Sequence, residues 1–256
     1  MKRRLRLLLA YDGTDFAGWQ LQPGQRTVQG VLAAALTRLN GEHPVTVRGA
    51  GRTDAGVHAL GQVADCPFAG DLDDGGVLHA LSRMLPDDLR ALAVATAHAG
   101  FHSRHQARAK VYVYRVDRSV HGDPFLRRYA AWRPGGLDRD AVERGLALLP
   151  GRRDWSGFTA ASCEIEDRVR TVLEARYEED AELGRFTFAA DGFLTHMVRN
   201  LVGTLLEIGR GRFGPEQIAR VLDSGERALA GPTAPAAGLF LERVVYDNPT
   251  FGGQDA

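Results

Sequence analysis

Gly49-Ala-Gly-Arg-Thr-Asp-Ala-Gly-Val-His58, directly after the strand-like run Val45-Thr-Val-Arg48, is the stretch that the rest of the chain reads as built to hold. Gly49, Gly51 and Gly56 fall within eight residues. Glycine is favoured where a backbone takes positive φ or approaches something closely, so the spacing predicts a tight, shaped loop. Asp54 stands at its apex with Arg52 two residues earlier. A carboxylate near a fixed cation stays ionised in one orientation, as a nucleophile or base requires. The plain alternative is an Asx turn, in which Asp54 bonds its own backbone and Arg52 is a solvated neighbour.

Outward from this loop the chain reads as an ordinary globular protein. Its 256 residues suffice for one large domain or two small ones. Hydrophobic content of 44% and charged content of 25% exclude a disordered or fibrous chain. The basic, apolar start resembles a signal peptide only superficially: Leu5, Leu7 and Leu9 alternate as in a strand, and Tyr11-Asp-Gly13 breaks the run. Cys66 and Cys163 have no neighbours at metal-ligand spacing, so neither a disulfide framework nor a zinc cage is expected, and a reducing cytoplasm fits. The net charge is zero but segregated. Phe101 to Arg133 carries eight cations against two acids, whereas Glu164 to Glu182 carries eight acids against three cations. A neutral protein can thus present a local positive face to a polyanion.

The first half reads β-α-β-β-α-β: strands 3–10, 45–48, 61–68 and 89–99, with helices 27–39 and 73–85 opened by Thr27 and Asp73. The second half reads β-α-β-β-α-α-β. Its strands are 110–116, 169–177, 185–190 and 239–246; its helices run from Asp138 to about Leu149, Phe193 to Ile208, and Pro215 to Leu222. The shared order predicts an α+β protein of two related units, 1–105 and 106–248, followed by a tail at 249–256 that is expected to be disordered from Phe251.

Three further groups invite chemistry. On the helix from Phe193, His196, Arg199, Gly203 and Glu207 line one side and Leu194, Met197, Val198, Leu201, Leu205 and Ile208 another. Such a stripe is either a wet face, with Glu207 simply exposed, or a route for Arg199 into a site. Tyr112 and Tyr114 share one face of their strand, as core residues or as a base-stacking platform. His102 and His105 lack the carboxylate or cysteine that would complete a metal shell.

With these residues in view, the chain resembles the tRNA pseudouridine synthase A family along nearly its whole length. The resemblance is carried, in order, by Tyr11-Asp-Gly-Thr with Gly18-Trp-Gln, Thr27-Val-Gln-Gly, Gly51-Arg-Thr-Asp-Ala-Gly-Val-His, Leu85-Pro-Asp, Phe101-His-Ser-Arg, Tyr112-Val-Tyr, Val169-Arg-Thr, Phe193-Leu-Thr-His-Met-Val-Arg-Asn200 and Ala237-Gly-Leu-Phe-Leu241. It implies a pseudouridine synthase fold, with a mixed, largely antiparallel sheet flanked by helices. It also implies Asp54 as the catalytic aspartate, Arg199 as the cation paired with it, Arg52 as a residue that helps hold the flipped nucleotide, and Tyr112 stacked on the target base. The implied activity is isomerisation of uridines 38, 39 and 40 of the tRNA anticodon stem-loop, by a cytoplasmic homodimer with no required cofactor. The chain departs from the family pattern at Val113, where arginine is frequent, and at Ser82-Arg83, where an asparagine is common. Two other readings of the same residues are an RNA-binding module without catalysis and a metal-dependent nuclease using Asp54 with His58 or His102.

Overall fold

The computed structural model describes residues 3–247 and 251; residues 249, 250 and 252–256 of the expected tail lie outside them. It divides into two compact units, Met1–Arg108 with Leu241–Ala256, and Ala109–Phe240. The described residues form ten strands and five α-helices.

In the first unit the order is β1 (Arg3–Tyr11), α1 (Val28–Leu39), β2 (Arg48–Gly49), β3 (His58–Phe68), α2 (Asp74–Met84) and β4 (Leu89–Ala97). β1 pairs antiparallel with both β3 and β4, and β2 pairs antiparallel with β3. Thr27 and Asp73 cap their helices as expected, accepting from the amides of Gly30 and Gly76. α1 buries Val28, Leu32, Ala35 and Leu36, and α2 buries Val77 and Leu81. The strand expected over 45–48 shrinks to Arg48–Gly49. The Val45 amide donates to Thr37 Oγ1 at 3.1 Å and the Val47 carbonyl accepts from Gln29 Nε2 at 2.8 Å, so α1 side chains take up the backbone groups a neighbouring strand would have used.

Asp65, in the middle of β3, is fully buried. Its Oδ2 accepts from Arg4 at 2.5 Å and from Arg48 at 2.6 Å, and its Oδ1 from the Ser103 amide at 2.9 Å. Burial alone would raise this carboxyl, but the hydrogen bonds from Arg48, Ser103 and Arg4 outweigh it and hold the group below its ordinary value. A carboxyl depressed on folding contributes stability that is complete above its unfolded value, near ~4, and that is lost as pH falls through the lower folded value. Asp65→Asn should cost about 2 kcal/mol at pH 7, less than a wholly buried pair because both guanidiniums are partly exposed. The urea midpoints of variant and wild type should converge under acid; a midpoint unchanged at pH 7 would mean that water satisfies both arginines.

The second unit runs β5 (Ala109–Asp117), β6 (Ala131–Trp132), α3 (Arg139–Leu146), β7 (Gly151–Asp154), β8 (Val169–Asp180), β9 (Leu183–Ala190), α4 (Met197–Gly209) and α5 (Gln217–Ser224). β10 (Leu239–Val245) begins in this unit and ends in the first. β5 pairs antiparallel with β9, β9 with β8 and β8 with β7, while β6 lies parallel to β5. The pairing is therefore mixed and largely antiparallel, and the α+β expectation holds. α4 is buried on nearly every side; Leu205 and Ile208 pack on Gly145 of α3, and Ile218 of α5 reaches the same spot.

Two expectations about α4 need correction. It starts at Met197 and not at Phe193, because His196 takes a left-handed conformation, φ 61°, and ends the extended run before it. Glu207 is buried, not exposed: Arg212 donates to it at 2.7 Å and Arg210 lies 3.6 Å away, so the i, i+11 line of polar residues is not a wet face.

Candidate active site

The loop from Ala50 to Val57 joins the antiparallel pair β2 and β3, so both of its ends are fixed by the sheet. Within it Thr53 is buried, Asp54 half-buried and Arg52 exposed. Gly56 does take positive φ, +77°, and a Cβ on Gly49 would lie 2.6 Å from the Trp19 ring. The loop is held by residues of the turn between β1 and α1. The Trp19 amide donates to the Thr53 carbonyl at 3.0 Å and the Gly56 amide to the Phe16 carbonyl at 3.3 Å. Gly18, at φ +88°, approaches so closely that a Cβ would stand 2.7 Å from the Thr53 oxygen.

Two strand residues complete the support. Tyr11, at the end of β1, places its hydroxyl 2.9 Å from Thr53 Oγ1, and Gln62 of β3 donates from Nε2 to the Gly51 carbonyl at 2.8 Å. Within the loop the Val57 amide donates to the Asp54 carbonyl at 3.1 Å. The backbone around Asp54 is thereby specified residue by residue. His58, the first residue of β3, is buried, its Nδ1 accepting from the Gly13 amide at 3.0 Å.

The second unit holds the other candidates. Tyr112 is 6% exposed, with Phe193 set edge-on at 5.1 Å between ring centres. Tyr114 is a core residue: its hydroxyl donates to the Pro235 carbonyl at 2.9 Å, and burial pushes its pKa well up. Both tyrosines are thus buried. Arg199, half-buried in the first turn of α4, donates from Nε to the Ala234 carbonyl at 2.8 Å. The Ala234 amide returns a bond to the Arg199 carbonyl at 3.1 Å. Asn200 anchors the same turn, giving Nδ2 to the Phe158 carbonyl and receiving Thr233 Oγ1 and Arg227 on Oδ1. So Asp54 and Arg52 lie together on one loop, while Tyr112, Phe193 and Arg199 belong to the second unit.

Sequence reasoning did not find the supporting residues Tyr11, Gln62, Asn200 and Ala234. Each acts through a backbone group or a single hydroxyl of a residue distant in the chain, and no spacing signals that. The basic stretch is partly spent on internal pairs. Arg108 makes a two-pronged bond to Asp247 and Arg118 pairs with Glu179, whereas Arg104 and Arg127 are exposed. His102 Nδ1 is occupied by the Arg104 and His105 amides at 3.3 and 3.4 Å. Among the described residues no three His, Cys, Asp or Glu side chains gather as a metal ion would require.

The first unit carries a β-hairpin loop with a half-buried carboxylate and the second a shielded tyrosine and a tethered arginine, and the class of protein is given by sequence matches that span both. Residues 8–105 and 146–247 match the family described as tRNA pseudouridine synthase. The tRNA pseudouridine synthase A of Geobacillus kaustophilus is 45% identical over 248 residues, covering 97% of this chain and 96% of its own. The enzyme of the same name from Streptococcus mutans is 43% identical, covering 96% and 99%. A solved archaeal box H/ACA Nop10-Cbf5 complex aligns with 79% of this chain and 44% of its own at 14% identity and a TM-score of 0.34. The chain belongs to the tRNA pseudouridine synthase family.

Proposed function

We propose that this chain isomerises uridine to pseudouridine in tRNA, with Asp54 as the acting carboxylate. The reaction breaks the N1–C1′ bond, turns the base in place and rejoins it to the sugar through C5. N1 gains a proton and the C5 hydrogen departs to solvent, so no redox partner or energy source is required. The carboxylate serves by attack at C1′ or C6, or by assisting proton removal at the sugar; each course requires it ionised. In this reading Arg199 is the cation that keeps it so, Tyr112 stacks on the target base, and Arg52 helps hold the flipped nucleotide. Removing the base from its stack costs a few kcal/mol, which stacking and phosphate contacts offset.

The observation that carries the reading is the loop itself. Thr53, Gly51 and Gly56, on either side of Asp54, are bonded to β1, to β3 and to the turn between β1 and α1, a degree of fixation that a surface turn does not need. The finer reading is that the targets are uridines 38, 39 and 40 of the anticodon stem-loop, modified in the cytoplasm by a homodimer. No helix among the described residues is long and apolar enough to cross a membrane.

Tritium release from a tRNA transcript labelled at uridine C5 tests the reaction. Wild type should release label from transcripts carrying uridine at 38, 39 or 40 and not from one lacking all three, and should sediment as a dimer. Binding of the transcript without release would leave an RNA-binding module of this fold.

A further inference from the structure

We propose that Tyr11 is a positioning residue for the reaction, fixing the direction of the Asp54 side chain through its hydroxyl contact with Thr53. The inference rests on the catalytic reading of Asp54 given above.

Tyr11 is the last residue of β1, facing Ala59 of β3 and Leu89 of β4. Both pairings slip just before it: the register with β3 shifts between Leu9 and Tyr11, and that with β4 between Leu8 and Leu9. Such irregularities re-aim the side chain that follows them, and they recur beside functional sites. Here the side chain points beneath the Asp54 loop. The Tyr11 ring is buried, with Phe16 edge-on at 6.4 Å and Trp19 tilted at 6.3 Å. The ring therefore has one resting place, and its hydroxyl 2.9 Å from Thr53 Oγ1 is a fixed point.

Thr53 is consequently gripped twice, at its hydroxyl by Tyr11 and at its carbonyl by the Trp19 amide. The next residue, Asp54, is gripped at its own carbonyl by Val57. With these atoms held, the direction in which Asp54 leaves the backbone is set before any substrate arrives. Buried hydrogen bonds of this kind add little to overall stability, but a displacement of about 1 Å at a reacting group costs about 100-fold in rate. Burial pushes the Tyr11 phenol up to about 12, so it keeps its proton across the working range and acts as a neutral hydrogen-bonding group.

Tyr11→Phe removes one oxygen and leaves the ring packing in place. In the tritium assay its kcat should fall about tenfold or more, with KM and the dissociation constant for tRNA within about twofold of wild type. Thr53→Val should do the same. The double variant should be no slower than the slower single, because both substitutions remove one shared contact. Three results would overturn the proposal: wild-type kcat for Tyr11→Phe alongside an inactive Asp54→Asn, a loss confined to melting temperature, or multiplicative losses in the double variant. Turnover by Asp54→Asn would instead remove the catalytic reading, and this proposal with it.

Discussion

Asp54→Asn should lower tritium release by at least about 10³-fold while tRNA binding stays within about threefold. The substitution is nearly isosteric and replaces a charged acceptor by a neutral amide. The contacts that shape the loop run through neighbouring atoms: the Thr53 hydroxyl and carbonyl, the Gly51 carbonyl and the Asp54 carbonyl. Asparagine keeps every one of them, so the loop should retain its form. What is lost is the ionised oxygen. The same variant separates the two readings of the sequence, because an Asx turn accepts asparagine as readily as aspartate. Full turnover by Asp54→Asn would return Asp54 to an ordinary turn residue. Loss of tRNA binding in step with turnover would mean that the carboxylate organises the RNA site rather than the chemistry.

The fold was legible where local rules and tertiary packing agree. Thr27, Asp73 and Asp138 each precede an apolar stripe at helical spacing, and each caps its helix through the amide three residues on. The first half follows the expected order of elements throughout. The second half gains two strands that nothing in the sequence announces. β6 is two residues long, and β7, Gly151-Arg-Arg-Asp154, has three exposed residues and so lacks the alternation that marks a half-buried strand. Tertiary pairing with β5 and β8 makes them strands. His196 illustrates the opposite failure: the apolar period runs on through Leu194, but a left-handed residue ends the helix where periodicity alone would continue it. At the candidate site the glycine loop was readable because it is local. Its underside was not, since Tyr11, Trp19 and Gln62 lie on other elements and look like core. Glu207 misled for a related reason, because the arginines that permit its burial lie beyond the end of α4.

Gly203→Ala should be among the most damaging single-methyl changes in the second unit, lowering stability by about 3 kcal/mol and kcat as well. Glycine in a helix interior ordinarily gains about 1 kcal/mol on replacement by alanine, which here is outweighed. A Cβ at this position would stand 1.7 Å from the Pro232 carbonyl oxygen and 2.9 Å from its carbon. Those atoms are backbone, so no rotamer relieves the clash; helix and loop must part. The loop has little freedom to comply. The Gly231 amide donates to Thr204 Oγ1 at 2.8 Å, Thr233 bonds Asn200, and a Cβ on Gly231 would in turn press within 2.7 Å of the Thr204 Cα. One turn earlier on the same helix, Arg199 directs its Nε to Ala234 of this loop. Separating loop from helix therefore removes the acceptor that orients the arginine, and the steric change should appear as slower turnover even well below the melting temperature. For a chain of this size the stability loss corresponds to a fall of about 6–10 °C in Tm, measurable by scanning calorimetry. An unaltered Tm would contradict the close approach of helix and loop. A lowered Tm with wild-type kcat at 25 °C would keep the packing argument and break its link to Arg199.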